Sequence, residues 1–274
     1  MNQSEGTKTK VDVLLSFDVD GETLWLSRDK VNPIGPVMLS QGAFGPKVAV
    51  PRILKLLKKY DIQSTFFVPG WIAEHYGPTC EAILKEGHEI GHHGYLHEWP
   101  NKTTEEEERE SFRLGFEHLE RTTGVRPSGY RSPGWEFSSR TLDLLVENGF
   151  LYSSNMMDLE QAYEHEIEGR PTGLVELPVS WILDDAAFFM FGITTSGYVI
   201  QNPRQVLEIW MDEFDGLYNE GDGKIFVLTM HPQIIGKTSR LMILEKLIAH
   251  IKSKPGVRFL TGAAAAQDFK RKRH

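Results

Sequence analysis

The chain has 274 residues with a formal net charge of −8, 40% hydrophobic and 25% charged residues, and a single cysteine. That supports one sizeable core, and the acidic balance argues against a nucleic-acid partner, which needs clustered Lys and Arg. Cys80 alone excludes an internal disulfide, no run reaches the roughly 18 apolar residues of a membrane span, and the polar first ten residues carry no secretion signal, so a cytoplasmic protein without a membrane partner is expected.

Residues 11–17 read as a short buried strand, with Asp18-Val19-Asp20 at its C-terminal end. Residues 26–46 carry Gly, Pro, Ser and Asn and read as a long loop, of the kind that serves as a lid or interface. Pro51 opens a helix to residue 60, residues 64–68 form a second buried strand, and a helix over 78–86 closes at Gly87. A third strand, 88–91, leads into His92-His93-Gly94-Tyr95-Leu96-His97. A long helix follows, where Thr103 and Glu106 make a capping-box pattern and Gly124 closes the element. Residues 129–135 are a strand end and turn, Ser138 caps a helix ended by Gly149, and 151–173 is irregular and acidic. Residues 174–181 read as a strand running out at Leu183-Asp184-Asp185. A helix over 203–218, a strand over 224–230, a helix over 241–252 and a strand over 257–261 complete the order.

Strands alternating with helices imply parallel strands with crossover helices. The expected fold is α/β, a single irregular (β/α) barrel of about seven parallel strands over 11–269. It lies between a disordered tail at 1–10 and a basic tail at 270–274. In such barrels chemistry collects at the C-terminal ends of the strands. Asp18, Asp20, His93, His97, Arg131, Asp184, Asp185 and His231 all fall at or just past such ends.

Two carboxylates at i, i+2 on an extended segment point to one face, so Asp18 and Asp20 suggest a base beside a metal ligand. An isolated Asp-x-Asp is more often a solvated turn. His93 and His97, at i, i+4, would face one ion from a helical turn, with His92 pointing away as a structural residue. With one carboxylate they make a three-ligand site that leaves positions for water and substrate. His231 ends an apolar strand and is either a satisfied rim histidine or a general acid. Arg131 beside Asp18 would orient that carboxylate. Asp184 and Asp185 either orient His231 or begin a loop. Trp71, Trp135 and Trp181 are more often core than substrate platform.

Ser16-Phe17-Asp18-Val19-Asp20-Gly21, His93-Gly94-Tyr95-Leu96-His97, Arg131-Ser132-Pro133-Gly134 and Leu228-Thr229-Met230-His231 resemble, in order, the motifs of the polysaccharide deacetylases. The Asp-Val-Asp spacing departs from the family's usual adjacent pair; together with Pro178-Val179-Ser180-Trp181-Ile182-Leu183-Asp184-Asp185 and His231-Pro232 it resembles a branch that includes intracellular peptidoglycan-deacetylase-like proteins and allantoinase-like cyclic amide hydrolases. The resemblance implies Asp18 as general base, Asp20, His93 and His97 as metal ligands, and His231 as general acid. It also implies Arg131 paired with Asp18, and the Gly134 N–H on the oxyanion, with Trp135, Asp184 and Asp185 around the substrate. An Asp that the family carries after a Tyr is absent, since Tyr152 is followed by Ser153-Ser154-Asn155. The expected function is metal-dependent hydrolysis of an amide bond in a small-molecule or saccharide substrate, removing an acyl group. Ring opening of a cyclic imide or ureide is the alternative, and a non-catalytic carbohydrate-binding barrel a lesser one. A structural zinc site would need more cysteine. Zinc is the expected metal, with cobalt, manganese or iron also accommodated, and the resemblance implies a homo-oligomer.

Overall fold

The computed structural model describes residues 10–27, 34–190, 200–221 and 223–273; residues 1–9 of the tail expected to be disordered lie outside them. Nine strands are described: β1 (Val11–Asp18), β2 (Thr65–Val68), β3 (Glu89–His92), β4 (Gly129–Tyr130), β5 (Tyr152–Ser153), β6 (Tyr163–Ile167), β7 (Arg170–Glu176), β8 (Lys224–Met230) and β9 (Val257–Phe259). In space β8, β1, β2, β3, β4, β5 and β7 follow one another in parallel, in keeping with the strand number expected. β6 adds an antiparallel edge on β7, and β9 lies beside Val11–Val13, below the point where β2 joins β1 at Ser16. The chain beyond β7 returns to β8 through a parallel bridge between Asp184 and Thr229. That bridge draws the two ends of the curled sheet together, and the fold is an irregular (β/α) barrel.

β1 is covered on both faces, as parallel strands are. Val13, Leu15 and Phe17 pack outward with Phe226 and Leu228 beneath the helices, whereas Leu14, Ile225 and Val227 share a second cluster with Phe67, Tyr152 and Val175. The helix Val50–Lys59 joins the outer layer through Val50, Ile53, Leu54, Leu56 and Leu57, spaced as one helical face.

Several expectations are corrected. Residues 28–33 of the expected long loop lie outside the described residues, but Pro36–Phe44 is a helix that continues through a wider turn into Val50–Lys59. Gly42, which looked like a loop residue, is there because any side chain would overlap the Gly21 backbone. The capping box falls one residue later than expected, at Thr104 with Glu107, while Thr103 belongs to the preceding turn, its hydroxyl donating to the Pro100 carbonyl at 2.9 Å. The helix after Ser138 begins at Thr141 with Arg140 at its N-cap; Ser138 still braces it, accepting the Arg140 N–H at 3.0 Å. The stretch read as irregular holds the β6–β7 hairpin, turned by Glu168 and Gly169, both at positive φ. β7 ends at Glu176, and Trp181–Leu183 is a 3₁₀ turn rather than the end of a strand. The basic residues 270–273 lie within the helix Gly262–Arg273, whose Arg273 pairs with Glu164 at 2.7 Å.

Candidate active site

Asp20 follows β1 and is fully buried, yet neither carboxylate oxygen accepts an aligned hydrogen bond. Three imidazole nitrogens stand around it. His93 Nε2 lies 3.3 Å from Oδ1, and the Nε2 atoms of His97 and His231 lie 3.8 and 3.7 Å from Oδ2. Burial alone would push the Asp20 carboxyl up, but His97, His93 and His231 together hold it well below the usual carboxylate range. The donor atoms of Asp20, His93 and His97 all lie within 4.8 Å of one another. An ionised carboxylate buried without donors is costly, and one carboxylate with two imidazoles is a donor set that divalent metals take. His93 Nδ1 donates to the Arg131 carbonyl at 2.7 Å, which fixes the ring with Nε2 facing Asp20. The residues fit a metal.

The two histidines do not sit on a helical turn as expected. β3 ends at His92, and the loop behind it reverses through Gly94 (φ 70°) and His97 (φ 60°), bringing the rings to 5.1 Å between centroids. His92 points the other way, into Phe112, Phe116, Tyr130 and Phe150, and its Nε2 donates to the Phe112 carbonyl at 3.2 Å. Burial there pushes the His92 imidazole down to about 3, so it stays neutral.

Asp18, at the end of β1, meets a fully buried Arg131. Nη1 donates to Asp18 Oδ1 and to Ser16 Oγ, both at 2.8 Å. Nη2 donates to Ser154 Oγ at 2.9 Å and Nε to the Ser154 carbonyl at 3.3 Å, while the guanidinium carbon lies 4.2 Å from the Phe67 ring centroid. The guanidinium is held on every side, so it fixes the direction of the Asp18 carboxylate.

His231 follows β8 and is gripped by Asp185, whose carboxylate accepts the backbone N–H at 3.0 Å and Nδ1–H at 2.7 Å. Asp184 Oδ1 lies 3.6 Å from the same ring nitrogen and caps the helix Asp185–Phe189 through the Ala186 N–H. Burial works to lower the His231 pKa, but Asp184, Asp185 and Asp20 raise it well above its ordinary value. Burial also pushes Asp184 up to about 7 despite the adjacent imidazole. With Nδ1 committed to Asp185, Nε2 faces the Asp20 site and can deliver a proton there.

A family model described as polysaccharide deacetylase matches residues 42–153. A peptidoglycan deacetylase of Helicobacter pylori is 34% identical over 94% of this chain and 95% of its own length. The chain belongs to the polysaccharide deacetylase family. It is therefore an enzyme of a family that hydrolyses amide bonds with the help of a metal ion. A Mycobacterium smegmatis protein of known structure, assigned to the polysaccharide deacetylases, matches all of this chain and 94% of its own with a TM-score of 0.89 and 35% identity. Puue allantoinase matches with a TM-score of 0.82 and 25% identity over 95% of this chain and 90% of its own.

In this deacetylase-family chain the turn Pro133–Trp135 ends β4 with Gly134 and Trp135 both at positive φ, 68° and 57°. The Gly134 N–H takes no backbone partner among the described residues, and a side chain at 134 would come within 3.2 Å of the Trp99 indole. Trp135 is buried and packs against the half-exposed Trp181, the rings tilted by 44° with centroids 4.5 Å apart. Behind the turn lies a group that sequence reasoning missed. Ser132 N–H donates to Asn155 Oδ1 at 2.7 Å, and the Asn155 and Met156 N–H groups donate to Glu176 Oε1 at 2.6 and 2.9 Å. His165 Nε2 closes the network on Glu176 Oε2 at 2.7 Å. The available signal was Glu176, a carboxylate inside the apolar run Leu174-Val175-Glu176-Leu177.

Proposed function

We propose that this protein removes an acyl group, acetyl in the first instance, from an N-acylated saccharide substrate, with a divalent cation, zinc by preference, held by Asp20, His93 and His97. The observation that carries the reading is the buried Asp20 carboxylate, which lacks an aligned donor and faces three imidazole nitrogens. The ion would supply Lewis acidity toward the scissile carbonyl and toward water. Asp18, oriented by Arg131, accepts the proton of the attacking water. The Gly134 N–H donates to the oxyanion. His231 gives its proton to the departing nitrogen, without which an amide nitrogen leaves poorly, and Asp185 holds the ring for that transfer.

The same machinery would open a cyclic imide or ureide, and the likeness to Puue allantoinase over 95% of this chain supports that as the second reading. Metal analysis followed by a turnover screen tests both. The proposal expects a bound divalent ion that is lost in His93→Ala, and acetate release from N-acetylated amino-sugar oligomers that drops at least about 10²-fold in Asp18→Asn and His231→Ala. Faster turnover of cyclic imides or ureides would replace it with the second reading, and metal-loaded protein inert toward every substrate would sink both.

A further inference from the structure

The loop that carries the two histidines is more tightly held than a connection between a strand and a helix requires. The backbone from Gly94 to Leu96 has a partner on each side. On one side the amides of Gly70 and Trp71, at the start of the helix Gly70–His75, donate to the carbonyls of Gly94 and Tyr95 at 3.0 Å each. On the other side a single carboxylate oxygen, Glu98 Oε2, collects the N–H groups of Leu96 at 2.8 Å and Tyr95 at 3.3 Å. The same oxygen accepts the Ser111 hydroxyl at 2.9 Å, from within the long helix Glu105–Thr123. Ser111 Oγ in turn accepts from Tyr95 N–H at 3.1 Å. Between the residues bound by this carboxylate and Glu98 itself stands His97, a bulky non-glycine residue at φ 60°. A side chain rarely stays in that region unless its surroundings over-determine it.

We infer that Glu98 is a positioning residue for the metal site: by binding the Tyr95 and Leu96 amides and the Ser111 hydroxyl it locks His97 in the left-handed conformation that turns its imidazole onto Asp20. The inference rests on the reading of Asp20, His93 and His97 as metal ligands. Glu98 is outside the cluster of Asp20, His93 and His97, and its carboxylate accepts from the loop amides and the Ser111 hydroxyl. It acts through the backbone one residue away from a ligand, as outer hydrogen bonds orient ligands elsewhere. Without it the Leu96 amide loses its acceptor and the Tyr95 amide keeps only Ser111 Oγ, so the loop no longer confines His97 to the left-handed region and Nε2 moves away from His93.

The test measures metal affinity directly, by competition of apo protein against a chromogenic zinc chelator, together with denaturation of the apo forms. Wild-type protein should bind one zinc that His93→Ala abolishes; if it does not, the metal reading itself falls and Glu98 is not at issue. Given that site, Glu98→Ala should weaken zinc binding by roughly 10–100-fold, the usual effect of removing an outer hydrogen-bond partner. Glu98→Gln, which keeps an acceptor oxygen, should return to within a few-fold of wild type. Wild-type affinity in Glu98→Ala would overturn the inference. So would a Gln variant as weak as the Ala variant, because the charge and not the hydrogen bonds would then be at work. The zinc-induced rise in stability gives the same affinities independently, referred to each variant's own apo form, so a general loss of stability does not mimic the effect.

Discussion

Replacing Arg131 with methionine probes the base and the fold together. Arg131 and Asp18 are 0% and 3% exposed and meet at 2.8 Å, so Arg131→Met leaves a buried carboxylate without its cation. It also strips the Ser154 hydroxyl and carbonyl and the Ser16 hydroxyl of a shared donor. Breaking a buried ion pair from one side costs about 3–5 kcal/mol. For a chain of this size each kcal/mol moves the midpoint by about 2–4 °C, so Tm should fall by roughly 6–20 °C. Methionine follows the stem of the arginine and keeps contact with Phe67, so the loss is chiefly electrostatic. Asp18→Asn in the same chain removes the stranded charge, and the double variant should then be less destabilised than the two single losses added together, by about 0.5–3 kcal/mol. Urea denaturation of the metal-free proteins measures all three. A single variant losing less than about 1 kcal/mol, or strict additivity in the pair, would refute the claim that Arg131 is chiefly the partner of Asp18.

Two further outcomes follow from the geometry. His231 has a raised pKa, so its proton is present below that value and lost as pH rises through it. Asp185→Asn removes one of the charges holding that proton and should move the alkaline limb of the kcat profile toward acid by about 1–3 pH units; an unmoved limb would mean that another group sets it. Gly115 sits inside a helix, where alanine normally stabilises, but its Cβ would overlap the His92 ring and crowd the Gly94 carbonyl. Gly115→Ala should therefore destabilise by about 1–3 kcal/mol in thermal or urea unfolding, and a gain in stability would show that the His92 cluster yields.

The barrel was legible because its long strands are apolar runs of the right length: β1 and β8 lie where the sequence placed them, and β8 has the same bounds. Positions beyond the strand ends were legible for the same reason, since parallel strands in register deliver their C-terminal residues to one rim. What the sequence hid depends on backbone reversals and on cross-strand partners. The i, i+4 spacing of His93 and His97 suggested a helical turn, whereas the rings converge through two left-handed residues that no periodicity encodes. The β6–β7 hairpin was obscured because its outer strand, Tyr163–Ile167, alternates charged residues at an exposed edge, which reads as loop. Ser154, Asn155 and His165 were invisible singly, because such a polar residue acquires meaning only from the partner the fold sets against it, and Glu176 alone stood out, as a carboxylate within an apolar run.

The order of strands in the sheet has a consequence for how the molecule is made. β1 is an interior strand, and its partner along nearly its whole length is β8, paired from Val11 with Lys224 to Phe17 with Met230. A ribosome making about 5–20 residues per second needs roughly 10–40 s to cover the approximately 210 residues between them. For that interval the flank of Val11-Asp12-Val13-Leu14-Leu15 that β8 will cover is an open, apolar strand edge, ready to pair with another nascent chain. Synthesis at high yield should accordingly depend on chaperones that hold this first strand until the last fifth of the chain emerges.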